Sequence, residues 1–68
     1  MKQVSGKAFV KAAATHGWLL DRIKGSHHIM IKDGEDAILT IPVHGNKPLK
    51  IGLLKALMKQ SGLTESEL

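Results

Sequence analysis

Two adjacent histidines, His27 and His28, follow a flexible Gly-Ser pair in the stretch Lys24-Gly25-Ser26-His27-His28-Ile29-Met30. The stretch is typical of the start of a β-strand, in which successive side chains point to opposite faces of the sheet. This alternation assigns one set of side chains to the core: His27, Ile29 and Ile31. It assigns the other set to the open face: His28, Met30 and Lys32. An exposed imidazole beside a lysine and an accessible glycine backbone is suited to acid–base chemistry near neutral pH, so His28 is the candidate catalytic residue.

The elements that must position these histidines are predicted from hydrophobic periodicity and from turn residues. Ser5 is a suitable N-cap, Gly17 ends the first helix, and Pro48 lies in the first turn of the second. Asp33-Gly34-Glu35 predicts a hairpin turn, and Thr64-Glu65-Ser66-Glu67 predicts a capping box after the second helix. In chain order, the predicted elements are a helix at residues 6–16, strands at 18–24, 26–32 and 37–41, and a helix at 48–61.

The order α-β-β-β-α predicts one α+β domain over residues 1–68, a two-layer sandwich. The three strands form an antiparallel sheet, and both helices cover one of its faces. This architecture is that of double-stranded-RNA-binding domains, which read the shape and phosphates of RNA. Fold alone does not give function.

Composition excludes several classes of protein. The chain has no cysteine, which rules out a disulfide framework and thiol catalysis. It has no apolar run of about 18 residues that would span a membrane. The first residues lack the apolar region of a signal peptide, so a cytoplasmic protein is expected.

The charge of +4 is unevenly distributed along the chain. No acidic residue occurs from Ala37 to Leu63, whereas this segment contains four lysines: Lys47, Lys50, Lys55 and Lys59. A basic, acid-free region favours a polyanionic partner such as RNA, DNA or an acidic protein surface. A merely solvated lysine face is the alternative.

Five short motifs, taken together, resemble the HicA toxin family across nearly the whole chain. They are Ser5-Gly6-Lys7, Gly17-Trp18, the Arg22–His28 segment with its Gly-Ser-His-His, the Ile41–Lys47 segment with its Pro-Val-His-Gly, and the Leu53–Leu63 segment of helix two. The resemblance implies a small prokaryotic mRNA-cleaving toxin with the double-stranded-RNA-binding-like fold. It also implies a HicB-type antitoxin that covers the active site.

The same resemblance places the family's catalytic histidine on His28. It implies metal-independent cleavage in which the imidazole activates a ribose 2′-OH, and no cofactor is expected. Lys24, Lys32 and the amides of Gly25 and Ser26 are candidate phosphate ligands. The group that protonates the leaving oxygen stays open between His44, Lys24 and water. Lys47 and Lys50, near the start of helix two, are further candidate RNA contacts.

Other assignments compete with these. His27 and Trp18 are expected to be core residues, and Met30 an exposed apolar residue at the antitoxin interface. His44 is either a loop hydrogen-bonding residue or an RNA contact. The alternative function is a non-catalytic RNA-binding module of the same fold. A metal site built from His27, His28 and His44 is disfavoured, because adjacent strand residues point apart.

Overall fold

The computed structural model describes residues 2–68. Its elements are α1 (Gly6–Thr15), β1 (Leu19–Lys24), β2 (His27–Ile31), β3 (Leu39–Pro42), α2 (Ile51–Ser61) and a short 3₁₀ helix (Glu65–Glu67). The strands form one antiparallel sheet in the order β1-β2-β3. The predicted α-β-β-β-α order is therefore confirmed. Within residues 2–68, no helix is long and apolar enough to cross a membrane.

The first helix begins and ends as its sequence predicts. The Ser5 hydroxyl accepts a hydrogen bond from the backbone N–H of Ala8 at 3.0 Å, which caps the helix. At the other end Gly17 adopts a φ of 92°, and the N–H of Trp18 donates to the carbonyl of Ala13 at 3.1 Å. This turn directs Trp18 into the core, where it is 1% exposed.

Both helices pack on the same face of the sheet. One cluster of buried side chains joins the two layers: Phe9 and Ala13 of α1, Leu54 and Leu57 of α2, and Met30, Leu39 and Ile41 of the sheet. The two-layer sandwich is thus confirmed, and the opposite face of the sheet is left without a covering element among the described residues.

Two element boundaries differ from the prediction by two residues or more, and the others agree within one residue. The third strand begins at Leu39 rather than at residue 37, and α2 begins at Ile51 rather than at Pro48. Pro48 forms an isolated bridge with Ser5, and the N–H of Leu49 donates to the carbonyl of Val4 at 2.8 Å. Because of this long-range pairing, residues 48 and 49 are extended, and the helix begins only after them.

The predicted capping box is present and connects the end of the chain to α1. The Glu67 carboxylate accepts from the backbone N–H of Thr64 at 2.7 Å and from its hydroxyl at 2.9 Å. These two hydrogen bonds, together with His16, whose Nδ1 lies 3.5 Å from Oε2, lower the pKa of Glu67 below its ordinary value. The carboxylate form therefore stabilises this last turn.

Candidate functional site at the end of the sheet

The Gly25–Ser26 turn and the loop after β3 meet at one end of the sheet. Gly25 adopts a φ of 61°, a left-handed conformation that favours glycine, and no other atom lies within 4 Å of the position its Cβ would take. The carbonyl of Ser26 accepts a hydrogen bond from the N–H of Val43 at 2.7 Å. This bond fixes the start of the loop that carries His44 against the turn that precedes the two histidines.

Strand register reverses the predicted faces of His27 and His28. In an antiparallel sheet, directly paired residues share a face. His28 pairs with Ile41, which is fully buried under the helices. His27 pairs with Lys24 and Pro42 and is exposed on the open face. The predictions of a buried His27 and an open-face His28 are therefore wrong. The apolar run that follows, Ile29-Met30-Ile31, has candidates for both faces, so it does not by itself decide which histidine faces the core.

His28 nevertheless remains partly accessible on the helix-covered face. Its Nδ1 atom is enclosed and has no hydrogen-bond partner in the described part of the chain, whereas Nε2 is not among the enclosed atoms. On its other side His28 pairs with Ile23 of β1, which is 54% exposed. The helices therefore stop short of β1, and the imidazole lies at the border of the covered area, with Nε2 accessible.

Met30 and Lys32 do not belong to this end of the sheet. Met30 is 1% exposed and packs in the core, so the prediction that it marks an antitoxin interface is wrong. Lys32 is half-buried, and its Nζ lies 5.9 Å from the centre of the Trp18 ring. Lys32 follows His28 by four residues, a distance of about 13 Å along an extended chain. Lys32 is thus not placed to contact the same phosphate as His28.

Three other predicted site residues come together in a groove of about 300 Å³ beside the sheet end. Its lining is basic and apolar: His44, Lys47 and Lys50, with Pro42, Pro48, Leu49 and Leu53. None of these residues is acidic. Sequence periodicity assigned Leu53 to the core side of α2, but it is 37% exposed, and the wheel gave no signal for a groove there.

The histidines do not form a metal-binding group in this structure. Among residues 2–68, no three side chains of His, Cys, Asp or Glu come together in a way that could hold a metal ion. Lys24 pairs directly with His27 at the turn, so it lies at the same end of the sheet as His28 but on the open face.

Comparison with known proteins gives one family match. A model of the family described as the HicA toxin of bacterial toxin–antitoxin systems matches residues 6–63, a range that includes every candidate site residue. A search of curated proteins found no match to the chain. Since the family match spans most of the 68 residues, from the first residue of α1 to the buried leucine after α2, the chain belongs to the HicA toxin family.

Proposed function

We propose that this toxin is a metal-independent endoribonuclease that cleaves mRNA with His28 as the general base. One observation carries the proposal beyond family membership. His28 lies on a strand with Nδ1 enclosed and Nε2 accessible, at the end of the sheet where the flexible turn and the basic groove meet. A ring held on one side and open on the other has a fixed reacting atom, which general-base catalysis needs.

The proposed reaction is a transesterification within the RNA strand. Neutral Nε2 of His28 takes the proton of a ribose 2′-OH, and the 2′ oxygen attacks the neighbouring phosphorus atom. The bond from phosphorus to the 5′ oxygen breaks, and that oxygen gains a proton. The products are a 2′,3′-cyclic phosphate and a 5′-hydroxyl end, and DNA is not cleaved because it lacks the nucleophile.

The phosphate that gains charge in this step needs donors at the sheet end. The amides of Gly25 and Ser26 lie in the turn that leads into His28, and Gly25 leaves the backbone open to approach. Lys24 shares the open face with His27, so its long side chain reaches this phosphate around the end of the sheet. Lys32 has no part in this step, because it lies at the far end of β2 over Trp18. The leaving oxygen is protonated by Lys24 or water, whereas His44 lies in the lining of the groove.

The same assignment defines the protein's partners. The substrate is RNA, and the neutralising partner is a HicB-type antitoxin that is present with the toxin in the cytoplasm. To block the reaction, the antitoxin must cover the helix-side surface of β1 next to His28. Exposed Leu20 and Ile23 lie on that surface, and they pair in register with Met30 and His28.

The test compares two neighbouring histidines. His28→Gln keeps the size and polarity of the side chain but removes the base, and it should reduce RNA cleavage about 10²- to 10⁴-fold. His27→Gln is the matched control, since His27 is exposed on the opposite face, and its rate should stay within about two-fold. Both are assayed on labelled RNA in excess chelator, with analysis of the new ends and a melting curve for each variant.

Three results would contradict the proposal. Undiminished cleavage by a folded His28→Gln variant would remove His28 from the mechanism. Loss of cleavage in chelator would indicate a metal-dependent reaction. RNA binding without cleavage by the unmutated protein would favour the non-catalytic RNA-binding module instead.

A further inference from the structure

The groove beside the sheet end has the properties of a nucleotide site. We propose that it binds one unpaired nucleotide of the RNA, with the base against His44 and Leu53 and the phosphate at Lys47 and Lys50. The inference rests on the proposed function, which it extends by naming the part of the substrate that the groove holds. It concerns binding and specificity rather than the chemical step.

The charge of the groove selects an anion. Its three ionisable lining residues are one histidine and two lysines, and no lining residue is acidic. Lys47 and Lys50 are exposed and are not among the residues that form ion pairs in residues 2–68. Their charges are therefore available to a phosphate.

The walls of the groove suit a base rather than a second phosphate. The apolar surface comes from Pro42, Pro48 and Leu53. Leu53 is 37% exposed there, although both other leucines of α2 are buried. His44 adds an exposed imidazole ring, and histidine is one of the side chains on which RNA bases stack. A base can reach such a surface only when it is unpaired and splayed out of a helix.

Size and position limit the occupant to one nucleotide next to the cleavage site. A volume of about 300 Å³ is at the lower end of the range for small-molecule sites. Pro42, in the wall, pairs with His27 across β2 and follows Ile41, the partner of His28. The groove wall thus begins one strand spacing across and one residue along from His28, roughly 6 Å between Cα atoms. A strand held in the groove passes the catalytic histidine.

The first experiment measures RNA binding without cleavage. In a His28→Gln background, fluorescence anisotropy with a labelled single-stranded RNA oligonucleotide gives the Kd. Leu53→Glu should weaken binding about tenfold. Ile51→Glu is the matched control, because it places the same charge two residues away on an exposed position outside the groove lining. It should change the Kd less than about threefold. An unlabelled duplex of the same sequence should compete at least tenfold more weakly than the single strand.

A second pair of variants defines the role of His44. His44→Phe keeps an aromatic ring but cannot transfer a proton, and it should bind RNA as tightly as the unmutated residue. His44→Ala should weaken binding about tenfold.

A third pair tests the phosphate contact. Lys47→Ala should lower the slope of log Kd against log salt by about 0.7, the value for one phosphate on a single strand. Lys59→Ala, a control in the last turn of α2, should leave the slope unchanged.

The outcomes separate the two proposals. Equal binding by the Leu53→Glu and Ile51→Glu variants, or loss of binding in His44→Phe, would overturn the nucleotide site while cleavage by the unmutated protein still upheld the nuclease. If Leu53→Glu instead weakened only the antitoxin complex, the groove would be a protein surface and the proposal would fail. Groove-dependent binding without any cleavage would keep the nucleotide site and remove the nuclease.

Discussion

Gly6, the first residue of α1, lies against the end of β3. A Cβ added at this position would overlap the carbonyl oxygen of Pro42 and would lie 3.0 Å from its carbonyl carbon and 3.3 Å from Cα of Val43. Carbon atoms at optimal contact are about 3.5–4.0 Å apart. All three obstacles are backbone atoms, so no side chain can rotate away. The overlap with the Pro42 oxygen is the largest of the three, so Gly6→Ala requires α1 or the β3 end to move by about 1 Å or more.

The expected cost follows from these contacts. Overpacking of a well-packed site destabilises by about 1–3 kcal/mol, and a clash with backbone belongs at the upper limit. Alanine recovers up to about 1 kcal/mol through its helix propensity. The net change in the free energy of unfolding is thus about −2 kcal/mol. For a domain of this size, that corresponds to a Tm lower by about 8–16 °C.

A second glycine provides the matched control. Gly52 is the second residue of α2, is exposed, and has no atom within 4 Å of its added Cβ. Gly52→Ala should therefore stabilise the protein by about 0.5–1 kcal/mol, through the same propensity without the clash. The two substitutions are chemically identical but should have opposite signs.

Urea unfolding followed by tryptophan fluorescence measures both changes. The single tryptophan, Trp18, is 1% exposed and reports on the core. Midpoints are compared at equal m values, because a changed m would indicate an altered denatured or native state. A Gly6→Ala protein as stable as the unmutated one would refute the close approach of α1 to Pro42 and Val43. It would also mean that contact with α1 at Gly6 does not fix the position of Pro42 and Val43, the residues that precede His44.

Two further predictions concern helix and chain ends. Ser5→Ala should lower the free energy of unfolding by about 1 kcal/mol, since the N–H of Ala8 loses its acceptor, and Ser5→Asn should restore most of it in the same urea assay. Glu67→Gln should destabilise the protein more at pH 7 than at strongly acidic pH. Because the hydrogen bonds from Thr64 lower the pKa of Glu67 in the folded state, its stabilising effect is complete above the ordinary carboxyl pKa and is lost as the pH falls through the folded value. A Gln variant with the same deficit at both pH values would contradict this cause.

Local signals in the sequence predicted most of the fold. The Ser5 cap, the left-handed Gly17 and the capping box at Thr64 each depend on residues within one helical turn, and all three are confirmed. The element order depends on periodicity over longer segments and is also confirmed. These features required no knowledge of contacts between distant parts of the chain.

The faces of β2 could not be derived in the same way. Ile29, Met30 and Ile31 form an unbroken apolar run, which carries no alternation of its own. The clear alternation lies in β3, where Leu39 and Ile41 are buried and Thr40 is exposed. Only the register between the two strands transfers that information to β2, and the seven residues between them leave the register open.

The groove depends on a contact that is even more distant in sequence. Its wall exists because residues 48 and 49 pair with the segment before α1 instead of joining α2. Helix periodicity at Pro48 and Leu49 gives no hint of a partner more than 40 residues away.

The corrected faces strengthen the argument for His28 over His27. His27 projects from the open face, where no covering element fixes its ring, and a base there would be as mobile as a surface side chain. His28 has one nitrogen enclosed by the packed layer and the other accessible, so its orientation is set by the fold. The enclosed Nδ1 lacks a partner, a cost of about 1–3 kcal/mol that a purely structural position would avoid with an apolar residue. That cost is accounted for if the imidazole is retained for its accessible nitrogen, and replacement of His28 by leucine should then raise stability while abolishing cleavage.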